Sequence, residues 1–189
     1  MLDPGVAEAL APAIAATAGR FAATDTIDVA PDADLEPWRQ ISRCASAAEA
    51  WAVHGAWIET AAPRLAPPIA DRFAWAKTVS SAAAAEADVQ RRAIRDRMRA
   101  QLGDDGVICL PTAPGPAPLL DATGDDVEMF RQRAQRLTCI AGLTGLPQVS
   151  IPAAHLNGLP IGLSLIGPAG SDAQLLALCR ELEPQLALA

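Results

Sequence analysis

Three residues of types able to do hydrolytic chemistry stand within five positions: Lys77, Ser80 and Ser81. A serine hydroxyl is a weak nucleophile until a neighbour takes its proton, and an uncharged lysine amine is one group that can take it. No glycine flanks these serines to let backbone N–H groups approach a developing oxyanion. Ser80 or Ser81 is therefore read as the cap of the alanine-rich helix that follows, and Lys77 as solvent-exposed. His54 shares a helical face with Trp51 and Trp57, but no nucleophile and orienting acid lie in sequence reach of it. It is read as a partly buried packing residue, and His155, before Asn157-Gly158, as a surface loop residue. Cys44, Cys109, Cys139 and Cys179 have no CxxC spacing and neither histidine pairs with one at ligand spacing, so free thiols and no metal site are expected. Arg91, Arg95 and Arg99 recur at helical spacing among Glu86, Asp88 and Asp96, the pattern of a solvated helix face. Gly142-x-x-Gly145 lacks the lysine and preceding strand of a phosphate loop and reads as a helix end; no cofactor is expected.

The elements that must position these residues follow from periodicity and punctuation. Asp3-Pro4 marks a helix start, Gly19 its end, and Pro12 an internal kink. Thr26 to Ala30 alternates as a short strand. Ser46 to Glu49 is a capping box, opening a helix that stops at Pro63. A further helical stretch runs from Pro67-Pro68 to Gly103, broken near Ser80-Ser81, with Ile94, Met98 and Leu102 on one face. Gly106 to Leu110 is a continuous apolar run, as in a strand covered on both faces. Pro111 to Pro118 is a proline-fixed loop, and residues 125–142 form a helix. Gln148 to Ile151 and Ile161 to Ile166 read as strands around the tight-turn pair Asn157-Gly158. A last helix opens at Ser171 and places Leu175, Leu178 and Leu182 on one side. Helices alternating with buried strands indicate an α/β layered fold, and residues 1–189 read as a single partial domain.

The bulk numbers narrow the function classes. The formal charge of −7 repels phosphate backbones, so a nucleic-acid partner is not expected. No run of about 18 apolar residues occurs without glycine, proline or charge, so no membrane span is expected. With scattered cysteines and no leader pattern in the first twenty residues, the expected location is the cytoplasm.

Three stretches carry a resemblance: ICLPTAPGPAPLL from Ile108, LTCIAGLTGLPQVSIPA from Leu137, and NGLPIGLSLIGPAGSDAQLL from Asn157. In this order and at this spacing they resemble the C-terminal region of the amidase-signature family, closest in character to indole-acetamide hydrolase-like members. The resemblance implies an α/β/α sandwich around a mixed sheet. It also implies cleavage of a carboxamide to acid and ammonia by a serine nucleophile, a second serine and an unprotonated lysine. The family's serines sit in a Gly/Ser-rich stretch, which residues 1–189 do not contain; the family order places it before Met1. The expectation is thus a C-terminal amidase portion with no catalytic residue of its own, binding its small-molecule amide only together with an N-terminal half. Such a portion is expected to self-associate through exposed apolar faces. The alternative is a non-catalytic interaction subunit retaining half the fold. The resemblance further implies that Gln135, Thr138, Ala141, Gly142 and Gly145 line the acyl-side pocket. Thr112, in the loop after the C-terminal end of a strand, where open α/β sheets place their sites, is read as either a pocket wall or part of a rigid structural loop. Gln135 stands where amino-acid-selective members carry an acid, and the small residues leave room for a flat aryl-acetamide.

Overall fold

The computed structural model describes residues 1–186. Among the described residues four α-helices precede the first of three strands, and two more helices lie between and after the strands: α1 (Val6–Ala18), α2 (Glu36–Ala61), α3 (Pro67–Thr78), α4 (Ser81–Leu102), β1 (Ile108–Pro111), α5 (Gly124–Thr144), β2 (Gln148–Leu156), β3 (Leu159–Ile166) and α6 (Asp172–Leu182). The strands lie in the order β1-β3-β2, and every pairing is antiparallel. Asn157 (φ 53°) and Gly158 (φ 79°) turn β2 into β3, two left-handed residues whose twist matches a hairpin.

Helices cover both faces of this sheet. On one, Leu163 and Leu165 of β3 pack with Val6 and Leu10 of α1 and with Leu175 and Leu182 of α6. On the other, Ile108, Leu110 and Ile166 meet Leu137, Ile140 and Leu143 of α5 and Ile94, Met98 and Leu102 of α4. Trp38 of α2 closes that cluster from outside. The result is an α/β/α arrangement, and the alternation of β1 between the two clusters explains its uninterrupted apolar sequence. Full burial of a leucine side chain contributes about 1.5–3 kcal/mol, so three sheet residues with no exposure, Leu163, Leu165 and Ile166, and the equally buried Ile140 of α5 are principal anchors.

Several expected boundaries shift, each for a local reason. α1 starts at Val6 behind Gly5 (φ 84°), with no side-chain cap. Asp3 is drawn away: its N–H donates to the Pro114 carbonyl at 2.7 Å, and its carboxylate accepts from Arg133 of α5 at 2.6 Å. Pro12 is accommodated inside α1. Residues 26–30 form no strand; the Asp25 carboxylate accepts the Thr26 N–H at 2.8 Å, a local bond that competes with a ladder, and Ala30 instead packs into the core. α2 begins ten residues before Ser46, with Asp34 accepting the Glu36 N–H at 2.9 Å and Pro37 in the first turn. Ser46 and Glu49 therefore lie within the helix. Ser171 precedes α6 but makes no capping bond, and its hydroxyl is buried without a partner.

The break between α3 and α4 falls where expected. Ser80 caps α4, accepting the Ala83 N–H at 3.1 Å. The arginine stripe of α4 is only partly solvated. Arg91 reaches across to Glu49 of α2 at 2.9 Å with its side chain 26% exposed, so this face helps join two helices. No helix among the described residues is long and apolar enough to cross a membrane.

Candidate active-site wall

The expected pocket residues separate into four placements. Gln135, Thr138 and Gly142, spaced three and four apart, share one face of α5 and line a cavity of about 650 Å³ between α2, α3 and α5. Ala141 turns toward the core, half-buried against its cluster. Gly145 (φ 64°) is the left-handed residue that ends α5. Thr112 lies elsewhere, in a polar seam on the sheet. Its hydroxyl lies 2.7 Å from that of Ser150 and 2.9 Å from that of Ser164, while the Gln148 amide donates to Ser164 at 2.8 Å. Thr112 also donates its N–H to the Gly162 carbonyl at 2.9 Å. A Cβ on Gly162 would stand 2.9 Å from the Thr112 hydroxyl oxygen, so the seam requires glycine there. The loop after β1 and the face of α5 are thus two neighbouring surfaces of the same layered body, and the structure does not merge them into one pocket.

The cavity also gathers residues that sequence reasoning missed. Arg39 and Arg43 come from α2, and Arg72, Phe73 and Trp75 from α3. The Arg43 guanidinium lies 3.9 Å from the Trp75 ring centroid, a cation–π stack. The missed signal was the Arg39/Arg43 pair at i, i+4, which has no visible face when the helix is begun at Ser46.

One electrostatic node fixes the cavity's rim. The Glu36 carboxylate accepts from Arg39 Nε at 2.9 Å and Nη2 at 2.5 Å, from Arg136 Nε of α5 at 2.7 Å, and from Gln40 at 2.6 Å. The Arg39 bonds above all, with those of Arg136 and Gln40, hold its pKa down to about 2 against a desolvation penalty. The same pair raises Arg39. Glu128 is likewise lowered, first by the Gln132 bond and then by Arg131. Burial pushes the thiol of Cys139, beneath this rim, up to about 12 and that of Cys109 up to about 11. All four cysteines are free.

The residues that could have formed a nucleophilic set are otherwise engaged. Lys77 pairs with Glu59 at 2.8 Å, its side chain 59% exposed. Ser80 caps α4, and Ser81 is exposed on its first turn. His54 is exposed and makes an edge contact with Phe73 at 6.0 Å between centroids, so the expected partial burial is not found. His155 is exposed near the end of β2, on the strand and not in a loop.

The described chain is therefore a three-layered α/β body that presents a ligand-sized cavity among its helices. Residues 15–176 match the amidase family model, and the chain belongs to that family. It is 38% identical over 129 residues to Amidase 1 of Arabidopsis thaliana, covering 68% of this chain and 30% of that protein. Amidase 1 of Oryza sativa subsp. japonica is also 38% identical, over 131 residues, again with 68% and 30% covered. Among solved structures, a crystal structure of an amidase superposes with a TM-score of 0.71 at 25% identity, covering 81% of this chain and 36% of that one. Kluyveromyces lactis allophanate hydrolase superposes with a TM-score of 0.75 at 25% identity, covering 93% and 29%. The chain thus spans about a third of the length of these relatives.

Proposed function

We propose that this chain supplies the C-terminal portion of an amidase, and that the face of α5 forms the acyl-side wall of a site whose nucleophile lies outside residues 1–189. The reaction is hydrolysis of a carboxamide to acid and ammonia by a serine–serine–lysine set. The observation that carries the reading is the pairing of family membership with the fate of Lys77. It is the only lysine in the chain, and it sits exposed in an ion pair with Glu59. A proton relay needs an amine facing a serine hydroxyl, and neither Ser80 nor Ser81 offers that arrangement. Gln135, Thr138 and Gly142, with the aromatic rings of Phe73 and Trp75 opposite, suit a flat aryl-acetamide as the acyl group. Four free cysteines fit a reducing compartment, the cytoplasm.

Ammonia release from phenylacetamide tests this. The purified chain should release none above buffer. Mixed with a polypeptide bearing the family's Gly/Ser-rich stretch and lysine, it should give turnover that Gln135→Trp abolishes by filling the cavity. Turnover by the chain alone would overturn the proposal.

A further inference from the structure

The cavity carries more positive charge than a neutral amide needs. Four arginines (Arg39, Arg43, Arg72 and Arg131) line it against one glutamate, Glu128, in a chain whose formal charge is −7. Arg39 is committed to Glu36, and Arg131 to Glu128 at 2.6 Å. Among the described residues, Arg43 and Arg72 stand within ion-pair distance of no carboxylate, and the Arg72 charge adds to those that lower Glu128. Arg43 instead lies over the Trp75 ring, 3.9 Å from its centroid. Stacking leaves the edge of a guanidinium free, and that edge presents the forked donors that match a carboxylate.

We propose that this cavity recognises an aromatic monocarboxylate: the ring packs on the Phe73 and Trp75 side, and the carboxylate is received by Arg43 and Arg72. A concave site whose lining charge is mostly positive focuses its field on an incoming anion. The single lining acid, Glu128, is bonded to Arg131 and Gln132, and Gln135 is uncharged, so no free carboxylate faces a ligand ammonium. A monoanion is therefore preferred over a zwitterionic amino acid. The ligand class this adds is the aryl acid itself, which occupies the cavity in competition with an aryl amide. The inference builds on the pocket assignment above, but its test reads binding by this chain, so it fails or stands independently of hydrolysis.

The test is calorimetric titration of the soluble 189-residue chain with phenylacetate, phenylacetamide and phenylalanine. Phenylacetate should saturate and bind at least ten-fold more tightly than the isosteric amide, and several-fold more tightly than phenylalanine. Raising the salt concentration should weaken phenylacetate and leave phenylacetamide unchanged. Arg43→Gln and Arg72→Gln, both exposed positions outside the core, should each bring the acid-to-amide ratio down toward one. Arg92→Gln, on α4 and paired with Asp88, should leave the ratio intact. Equal or tighter binding of the amide, a preference that survives both arginine substitutions, or no saturable binding of phenylacetate would each overturn the proposal.

Discussion

Glu36 is the place where one substitution should report on the whole helical layer. Its carboxylate ties the first turn of α2 to Arg136 of α5 and neutralises Arg39, whose side chain is 9% exposed. In Glu36→Gln the geometry of an acceptor is partly kept, but the Arg39 guanidinium loses its counter-charge in a buried setting. Breaking a buried pair from one side costs about 3–5 kcal/mol. Glu36 itself is 29% exposed, so solvent screens part of this, and a loss of about 2 kcal/mol is expected. The pH dependence has a definite sign. The folded-state pKa of Glu36 lies near 2, below its ordinary 4.5, so the contribution is fully present above pH 4.5 and is lost as pH falls toward 2. Urea unfolding followed by far-ultraviolet circular dichroism at pH 7 should show a lower midpoint for Glu36→Gln with an unchanged slope. Between pH 5 and 3 the gap between the two proteins should shrink. A substituted protein as stable as the original at pH 7, or a gap that widens on acidification, would refute the assignment of Glu36 as an interhelical tie.

Four further outcomes follow from particular contacts. Ser80→Ala removes the cap of α4 and should cost about 1 kcal/mol in the same unfolding assay. Leu143→Ala, at a site 1% exposed between α5 and the sheet, should cost about 2–5 kcal/mol. Gly162→Ala should be destabilised by collision with Thr112, and pairing it with Thr112→Ala should recover part of the loss, a coupling visible in a double-mutant cycle. Cys109 and Cys139, whose pKa values lie near 11 and 12, should resist alkylation at pH 8 in the folded chain and react once urea unfolds it, as peptide mass spectrometry would show.

Local signals read well wherever the chain's own neighbours decide the conformation. Asn157-Gly158 forced the β2–β3 turn, Ser80 capped α4, and Ile94, Met98 and Leu102 share the buried face their spacing implies. Signals failed where a distant partner outbid a local one. Asp3 looks like a cap but is claimed by Arg133, 130 positions away. Ser46 to Glu49 has the spacing of a capping box, yet the helix is already running, and Glu49 serves Arg91 of α4 instead. Residues 26–30 alternate, but among the described residues no strand pairs with them. The α5 wall of the cavity was legible only through the resemblance of its sequence to a family. Arg43, Arg72 and Trp75 were not, because their convergence depends on how α2 and α3 cross α5, which no spacing within one helix records.

The central claim is that the chain builds a pocket wall and holds no activated serine. Treating the purified chain with a fluorophosphonate, which modifies an activated serine and spares an ordinary one, tests it most directly. Intact and peptide mass spectrometry of folded protein should show no adduct. A stoichiometric adduct, above all on Ser80 or Ser81, would mean that this chain contains a complete nucleophilic site of its own.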